Sequence, residues 1–286
     1  MSPSLSPNAM QTIQSALVWG RARLGSEARD ADYLLAAAMP CSMVQLRAYP
    51  ERHCGSEQWQ RYVAWVDRRA LGEPLAYLLG RREFWSLPLA VGPGVLIPRP
   101  DSELLIEAAL QRLPAGRTGW VADVGCGSAN LALALATERP RLSLLAVERS
   151  PAALPWARRN IESLAKSRCV LLQGDLLSAV QPDRLTAVIA NLPYIDRADP
   201  DLDPATAAHE PAAALYAGDA GLALIAALVR QATQALQEHG WRQGEAVQDL
   251  LRQAGYCEIE TLQDLADRPR VSLGRWGQIR QTGASG

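Results

Sequence analysis

The tetrad Asn191-Leu192-Pro193-Tyr194 has the residue types in this chain that are best suited to position a ligand. It directly follows a short apolar run, residues 185–190, whose composition predicts a buried strand. Ligands of open α/β sheets bind outside the carboxyl ends of the strands. A polar residue there, followed by proline and an aromatic ring, indicates a site. The alternative is a strand that ends in an ordinary turn.

A second candidate site is the loop Asp123–Ala129, which joins a predicted strand to a predicted helix and contains Gly125 and Gly127. Two glycines allow a tight turn and a close approach of the backbone to a ligand. The dinucleotide pattern G-x-G-x-x-G is not met, because Asn130 occupies its last glycine position. Asp123 would repel a pyrophosphate and favours a ligand with cationic groups, such as the ammonium and sulfonium of S-adenosylmethionine. The alternative is a glycine-containing turn without a ligand.

Two further acids end the next predicted strands. Glu148 has about the spacing from the loop at which an acid binds ribose hydroxyls in nucleotide folds, and a carboxylate can accept two such hydrogens. Asp175 ends the third strand, where it could accept a hydrogen bond from an adenine amine. The alternatives are a solvated glutamate at a strand end and an aspartate in a turn, where this residue is common.

Composition limits the class of protein. The chain has 286 residues, enough for one large domain or two smaller ones, and 48% of them are hydrophobic. Its formal net charge of −1 argues against a general binder of polyanions. The five cysteines form no C-x-x-C pair, which favours a reducing compartment, and no metal site is predicted. Residues 1–14 have no signal-peptide pattern and no apolar run is long enough to span a bilayer, so we expect a soluble cytoplasmic protein.

The first part of the chain is predicted to be helical. Apolar residues at helical spacing predict helices over residues 13–24, 31–38 and 59–66. Two short extended pieces near residues 82–91 then predict a hairpin. The segment Ile97–Asp101 contains two prolines and predicts a stiff linker.

From about Gly119, strands and helices alternate. The predicted strands are 120–124, 142–147, 170–173 and 185–190, and the helices between them are 130–137 and 152–164. Alternation with short connections predicts an α/β fold with a parallel, doubly wound sheet. A helix from about residue 220 to 236 follows, and then a terminal strand pair, 257–261 and 270–273.

Several linked motifs resemble one family, the release factor glutamine methyltransferases, also known as PrmC or HemK. They follow the family's order: Gly72–Gly80 with Arg82–Leu89, Ile97–Glu103, Asn191–Asp196, His209–Pro211 and Glu238–Val247. The tetrad is also close to the Asn-Pro-Pro-Tyr motif of methyltransferases that act on planar, amide-like or exocyclic NH2 groups. A set of motifs in the right order is far more specific than any one of them.

The resemblance implies a fold and an activity. The fold is a helical substrate-binding domain over residues 1–80, a hairpin and linker over 81–100, and a class I, Rossmann-like methyltransferase domain over 101–286. The activity is transfer of a methyl group from S-adenosylmethionine to the side-chain amide nitrogen, N5, of the glutamine in the Gly-Gly-Gln motif of peptide chain release factors.

The candidate site residues combine this resemblance with the acids described above. The candidate cofactor-binding residues are Asp123, Gly125, Cys126, Gly127, Ser128, Ala129, Glu148, Asp175, Leu176 and Asn191. The candidate substrate-binding residues are Asn191, Leu192, Pro193 and Tyr194, of which Asn191 and Tyr194 are the candidate catalytic residues.

A glutamine amide nitrogen is a poor nucleophile, because its lone pair is delocalised into the carbonyl. The enzyme therefore mainly has to position it against an already activated methyl group. The Asn191 side-chain oxygen and the Leu192 carbonyl would accept from the NH2 group, and Tyr194 would wall the amide. No strong base is required before transfer, since the proton leaves more easily once the nitrogen is methylated.

The chain departs from the family pattern at single residues. Leu192 replaces a proline and loses one locked φ angle, an entropic effect of about 0.4–1 kcal/mol. Ala129 stands where the family usually has glycine. Leu176 stands where related enzymes can have an aromatic residue against the adenine.

A larger departure follows the last predicted helix. The family has a glycine turn and an apolar strand before the Glu-His-Gly segment, whereas here Gln237 runs directly into Glu238. About seven residues are missing, roughly one strand at about 3.3 Å per residue. We therefore expect the strand 185–190 to be bordered by the terminal pair or to lie at an open edge of the sheet. A sheet that is one strand short puts the activity in doubt.

Two other functions remain open. A nucleic-acid adenine methyltransferase can share the Asn-x-Pro-Tyr logic, but it predicts a basic face and a nucleic-acid module, and neither is visible. A non-catalytic descendant that binds cofactor or release factor would fit the apparent strand deletion. On the leading interpretation the partners are release factors, with no direct nucleic acid and no membrane.

Overall fold

The computed structural model describes residues 11–165, 168–199, 203–232 and 234–276. Residues 1–10, where no signal peptide is expected, lie outside these ranges. The chain forms two compact units, Met1–Arg81 with Asp203–His209, and Arg82–Leu202 with Glu210–Gly286. Within the described part of the chain, no helix is both long enough and apolar enough to cross a bilayer.

The first unit is helical. Its elements are α1 (Ile13–Leu24), α2 (Asp30–Ala38), α3 (Met43–Ala48), α4 (Ser56–Ala70), α5 (Leu75–Leu79) and, later in the chain, α9 (Pro204–His209). The apolar stripes of α1, α2 and α4 share one buried core. The partly buried ring of Trp19 packs against this core, 5.2 Å from the ring of Trp59 and edge to face with it. Gly20 lets α1 approach the buried Tyr62, since a Cβ atom there would lie 1.9 Å from the Tyr62 hydroxyl.

The second unit is built on a mostly parallel sheet. After the hairpin strands β1 (Arg81–Phe84) and β2 (Leu87–Ala90) come β3 (Gly119–Val124), β4 (Leu142–Glu148), β5 (Cys169–Gln173), β6 (Leu185–Ala190), β7 (Gln234–Glu238), β8 (Tyr256–Gln263) and β9 (Pro269–Trp276). The large sheet has seven strands in the order β5-β4-β3-β6-β7-β9-β8. The pairs from β5 to β7 are parallel, and β9 is antiparallel to both neighbours.

Helices cover both faces of this sheet. They are α6 (Glu103–Arg112), α7 (Asn130–Glu138), α8 (Leu154–Leu164), α10 (Ala212–Leu215), α11 (Ala223–Gln231) and α12 (Gly244–Gln253). Successive residues of β3 point to opposite faces. Val121 accordingly packs in the core with α6, α7 and α8, whereas Ala122 packs in the core with α11 and α12. The prediction of a doubly wound α/β fold that follows a helical N-terminal region along the chain is confirmed.

The prediction of a missing strand is wrong. The sheet is complete because Gln234–Glu238 forms β7, parallel to β6 and antiparallel to β9. The sequence analysis had placed residues up to 236 in a helix, but α11 ends at Gln231. The buried β6 backbone needs a hydrogen-bonding neighbour on this edge, and that need outweighs the high helix propensity of the residues 234–238.

The strand β7 carries a polar side chain inside the sheet. Gln237 is buried in β7, and its amide nitrogen donates to the Glu238 carbonyl at 2.6 Å. Its Oε1 atom has no hydrogen-bond partner within the described structure. A buried acceptor without a partner costs about 1–3 kcal/mol.

We expect Gln237→Leu to raise the free energy of unfolding by about 1–2 kcal/mol, because the change removes the unpaired acceptor at similar volume. Urea denaturation of parent and variant measures the difference. Gln253→Leu, at the exposed end of α12, is the matched control and should change stability by less than about 0.5 kcal/mol. Equal stability of Gln237→Leu and parent would mean that a buried water satisfies the acceptor.

Candidate functional site

The pairing of β3 with β6 brings the loop and the tetrad together. Val124 pairs with Ala190 in the parallel register, so the residues that follow, Gly125 and Asn191, leave the sheet side by side. Both of them line one cleft at the carboxyl ends of the strands. The two candidate sites of the sequence are therefore one site.

The loop after β3 is tightly folded against β4. Gly125 and Gly127 have φ angles of 71° and 54°, which favour glycine. The amides of Gly125 and Cys126 donate to the Val147 carbonyl at 2.8 and 3.0 Å. A Cβ atom on Gly125 would lie 2.8 Å from Cδ2 of Leu192. The leucine that replaces the family's proline thus packs against a glycine that leaves it room.

Glu148 braces this loop. One carboxylate oxygen accepts from the Gly127 amide at 2.8 Å, and the other accepts from the Ser150 amide at 2.7 Å. The side chain is 8% exposed and lines the cleft, which argues against a freely solvated group. Each oxygen keeps a lone pair for a ligand donor.

Asp123 is a fully buried acid at the end of β3. Its Oδ2 accepts from the Ala132 amide at 2.9 Å in the first turn of α7, whereas Oδ1 has no partner in the described structure. Burial raises the pKa of Asp123 to about 7, and the Ala132 amide opposes the rise while the charge of Glu148 adds to it. A cationic or donor group of a ligand in the cleft would satisfy Oδ1.

Ser128 is the second buried polar side chain of the loop that lacks a partner. It is 1% exposed, and its Oγ atom has no hydrogen-bond partner in the described structure. Its carbonyl accepts from Nδ2 of Asn160 at 3.0 Å. The same Asn160 amide bonds the backbone of Ala90 in β2, which ties the hairpin to the loop. The loop is therefore preformed, with its unpaired groups beside the cleft.

The tetrad is held by bonds from three other segments. Nδ2 of Asn191 donates to Oγ of Ser102 at 2.9 Å, and its Oδ1 has no hydrogen-bond partner among the described residues. The Tyr194 hydroxyl donates to Oε1 of Glu238 at 3.3 Å. The Tyr194 carbonyl accepts from Nε2 of Gln243 at 2.9 Å. Burial is the main reason that the pKa of the Tyr194 phenol lies far above its ordinary value, so it stays neutral.

The structure brings many of the predicted site residues to the cleft but not all of them. The residues that line it are Asp123, Gly125, Cys126, Gly127, Ser128, Glu148, Asn191 and Pro193. Ala129, Leu192 and Tyr194 lie next to lining residues. Ala129 has a φ of 64° and directly precedes α7. Asp175 and Leu176 do not line the cleft, and the exposed Asp175 carboxylate lies 3.8 Å from Arg149.

The sequence analysis missed several residues of the cleft. Arg99 and Ser102 line it, and buried Glu210 holds the Arg99 guanidinium and accepts from the Ile97 amide at 2.9 Å. Their motifs are family markers, but spacing alone does not show that Glu210 meets Arg99 and Ile97. Within the described ranges, no group of three or more His, Cys, Asp and Glu side chains could hold a metal ion.

The raised pKa of Asp123 makes a prediction about stability. The pKa of this carboxyl is near its ordinary value of 3.8 in the unfolded chain and about 7 in the folded protein. The group therefore contributes stability below about pH 4 and loses it as pH rises through about 7. Asp123→Asn should be more stable than the parent at pH 8 by about 1–3 kcal/mol, with a smaller gain at pH 5.

Urea denaturation at the two pH values measures this difference. Asp183→Asn, on an exposed turn, is the control and should shift stability by less than about 0.5 kcal/mol at both pH values. A gain for Asp123→Asn that does not depend on pH would contradict the assignment.

Family models match both units of the chain. Residues 15–80 match the model described as the PrmC N-terminal domain. Residues 100–239 match the methyltransferase small domain. Among solved structures, the hMettl16 catalytic domain has a TM-score of 0.56 at 15% identity and covers 75% of this chain and 83% of its own. That likeness concerns the fold alone.

Curated relatives extend over nearly the whole chain. The release factor glutamine methyltransferase of Escherichia coli K12 is 43% identical over 260 residues, which cover 88% of this chain and 94% of that protein. The protein of the same name from Pseudomonas aeruginosa is 42% identical, with 86% and 92% covered. This chain belongs to the family of release factor glutamine methyltransferases.

Proposed function

We propose that this protein transfers a methyl group from S-adenosylmethionine to the side-chain amide nitrogen of the glutamine in the Gly-Gly-Gln motif of peptide chain release factors. The observation that carries the proposal is the single cleft that joins the acidic glycine loop to Asn191, in a member of this family. The completed sheet removes the main reason to suppose a non-catalytic descendant.

The cleft suits the cofactor's chemistry. Asp123 Oδ1 and Ser128 Oγ are buried polar atoms without partners in the part of the chain that the structure describes, and Glu148 keeps acceptor capacity. Asp123 and Glu148 would hold cationic and hydroxyl groups there. When bound, S-adenosylmethionine supplies a methyl group that its sulfonium has already activated.

The tetrad would position the glutamine amide. Oδ1 of Asn191 and the Leu192 carbonyl would accept from the two NH2 hydrogens and turn the nitrogen lone pair toward the cofactor side of the cleft. Pro193 biases Leu192 to an extended backbone, which keeps its carbonyl in place. Tyr194 stays a neutral phenol and would form the wall of the amide pocket. Positioning of this kind can supply a large part of the rate enhancement.

The helical unit suits a role in binding the protein substrate. Its match to a domain specific to this family supports a role in seating the release factor. Because release factors act on ribosomes, we infer a cytoplasmic location, with the release factor rather than a nucleic acid as the direct partner.

The activity test uses purified release factor, S-adenosylmethionine and the full-length protein. Mass spectrometry should find one added methyl on the Gly-Gly-Gln glutamine, and a release factor with Gly-Gly-Asn should stay unmodified. Asn191→Ala should lower turnover on the order of 10²-fold, because a positioning contact is lost. An unmodified glutamine with folded, cofactor-binding parent would contradict the proposal. Methylation of added RNA or DNA instead would favour an adenine methyltransferase.

The role of Glu148 is tested separately by calorimetry. Glu148→Gln removes the charge and one acceptor, so S-adenosylmethionine should bind about 10- to 100-fold more weakly, equivalent to about 1.5–3 kcal/mol. Glu162→Gln, on the exposed face of α8, is the matched control and should bind like the parent. Asp175→Asn tests the prediction for that residue in the same series. Parent-like affinity of Glu148→Gln would show that the carboxylate serves only the loop backbone.

A further inference from the structure

Behind the tetrad lies a buried acid that the proposed reaction does not yet use. Glu238 ends β7 and is 1% exposed. Its Oε1 accepts from the Tyr194 hydroxyl at 3.3 Å, and its Oε2 has no partner in the described structure. The Ser102 hydroxyl, also 1% exposed, lies beside this carboxylate and accepts from Nδ2 of Asn191 at 2.9 Å. Glu238 therefore bonds one candidate catalytic side chain, Tyr194, and lies beside Ser102, which bonds the other, Asn191.

The chemistry of these groups sets a direction for the hydrogen bonds. An ionised carboxylate only accepts, whereas a serine hydroxyl has one hydrogen to donate and lone pairs to accept with. Ser102 accepts from Asn191, so its own hydrogen is free to point to Glu238. With Glu238 ionised, the Ser102 hydrogen would point to the carboxylate, and the Asn191 amide would keep its nitrogen toward Ser102 and its oxygen toward the cleft.

Protonation of Glu238 would remove the preference for this arrangement of donors and acceptors. A carboxylic acid can donate to Oγ of Ser102, and the Ser102 hydrogen would then turn away from Glu238 and toward the Asn191 amide, where it favours the amide oxygen. Asn191 could then turn its NH2 group to the cleft, where it would meet the NH2 group of a glutamine. Two donors facing each other cannot hold the substrate amide.

The surroundings of Glu238 place its titration near neutrality. Burial raises its pKa to about 7, while the hydroxyls of Ser102 and Tyr194 oppose the rise. Of the nearby charges, Asp101 raises the pKa and Arg270 lowers it. The Arg270 guanidinium lies between Asp101 and Asp264, at 3.3 and 3.1 Å. The neighbouring His239 ring is committed to the Gly240 carbonyl and the Ser272 hydroxyl.

We propose that Glu238 is a positioning residue that orients the Asn191 amide through Ser102 and the Tyr194 ring through its hydroxyl, and that it does so in its ionised form. The effect of this orientation on catalysis rests on the proposed function. The orientation of Asn191 itself is a property of the free protein and can be measured without turnover.

The first experiment compares kinetics. The parent should lose kcat as pH falls below about 7, and Glu238→Gln should lack this acidic limb. We expect Glu238→Gln to lower kcat about 10- to 100-fold at pH 8 with an S-adenosylmethionine affinity within about twofold of the parent. Ser102→Ala should lower kcat similarly, whereas Ser102→Thr, which keeps the hydroxyl, should restore it. A merely structural role would leave the pH profile of Glu238→Gln like that of the parent, and that result would overturn the proposal.

The second experiment does not use turnover. In the parent, the side-chain amide signals of Asn191 in a ¹⁵N–¹H NMR spectrum should shift with pH with a midpoint near 7, and this titration should be absent in Glu238→Gln. Asn191 signals that do not respond to pH in the parent would overturn the proposal even if the enzyme is active. A protein that shows the titration but never methylates release factor would instead contradict the proposed function and leave the positioning role of Glu238 supported.

Discussion

The parallel pairing of β3 with β6 is the constraint on which the site depends. It places Gly125 and Asn191 side by side where the two strands leave the sheet. The loop after β3 can follow this path only because Gly125 has a positive φ and no side chain against Leu192. The glycine loop and the tetrad, which lie far apart along the chain, thereby share one preformed cleft whose geometry is set by backbone hydrogen bonds.

The same sheet explains why residues that follow α11 form a strand. The parallel strands carry hydrogen-bonding groups on both edges, and β6 would leave a row of them unpaired without a neighbour. Residues that could have extended α11 instead form β7, although this puts Gln237 into the core. Backbone pairing decides the outcome here, because several unpaired backbone groups would cost more than one imperfectly bonded side chain. The Glu-His-Gly segment thereby keeps its place next to the tetrad.

Two buried acids give the cleft its chemical character. Asp123 and Glu238 lie at the ends of β3 and β7, and burial raises the pKa of each to about 7. Both retain an oxygen without a partner in the described structure. Stability and function oppose each other at such positions, since a buried carboxylate is costly in the free protein. In the proposed function one acid would meet the cofactor, and the other would orient the residues that hold the substrate amide.

The sequence by itself determined the alternating α/β fold, the glycine loop, the tetrad and the family, because these depend on local periodicity and on linked motifs in order. It did not determine the end of α11 or the existence of β7, since the residues 232–236 have little strand pattern of their own and pair only because β6 requires it. Nor did it show that Ser102 lines the cleft, that Glu210 and Glu238 bond to Arg99 and Tyr194, or that Asp175 lies outside the lining of the cleft. Only the tertiary structure decided these points, because strand pairing brings together residues that lie far apart in the chain, and no local pattern contains that information.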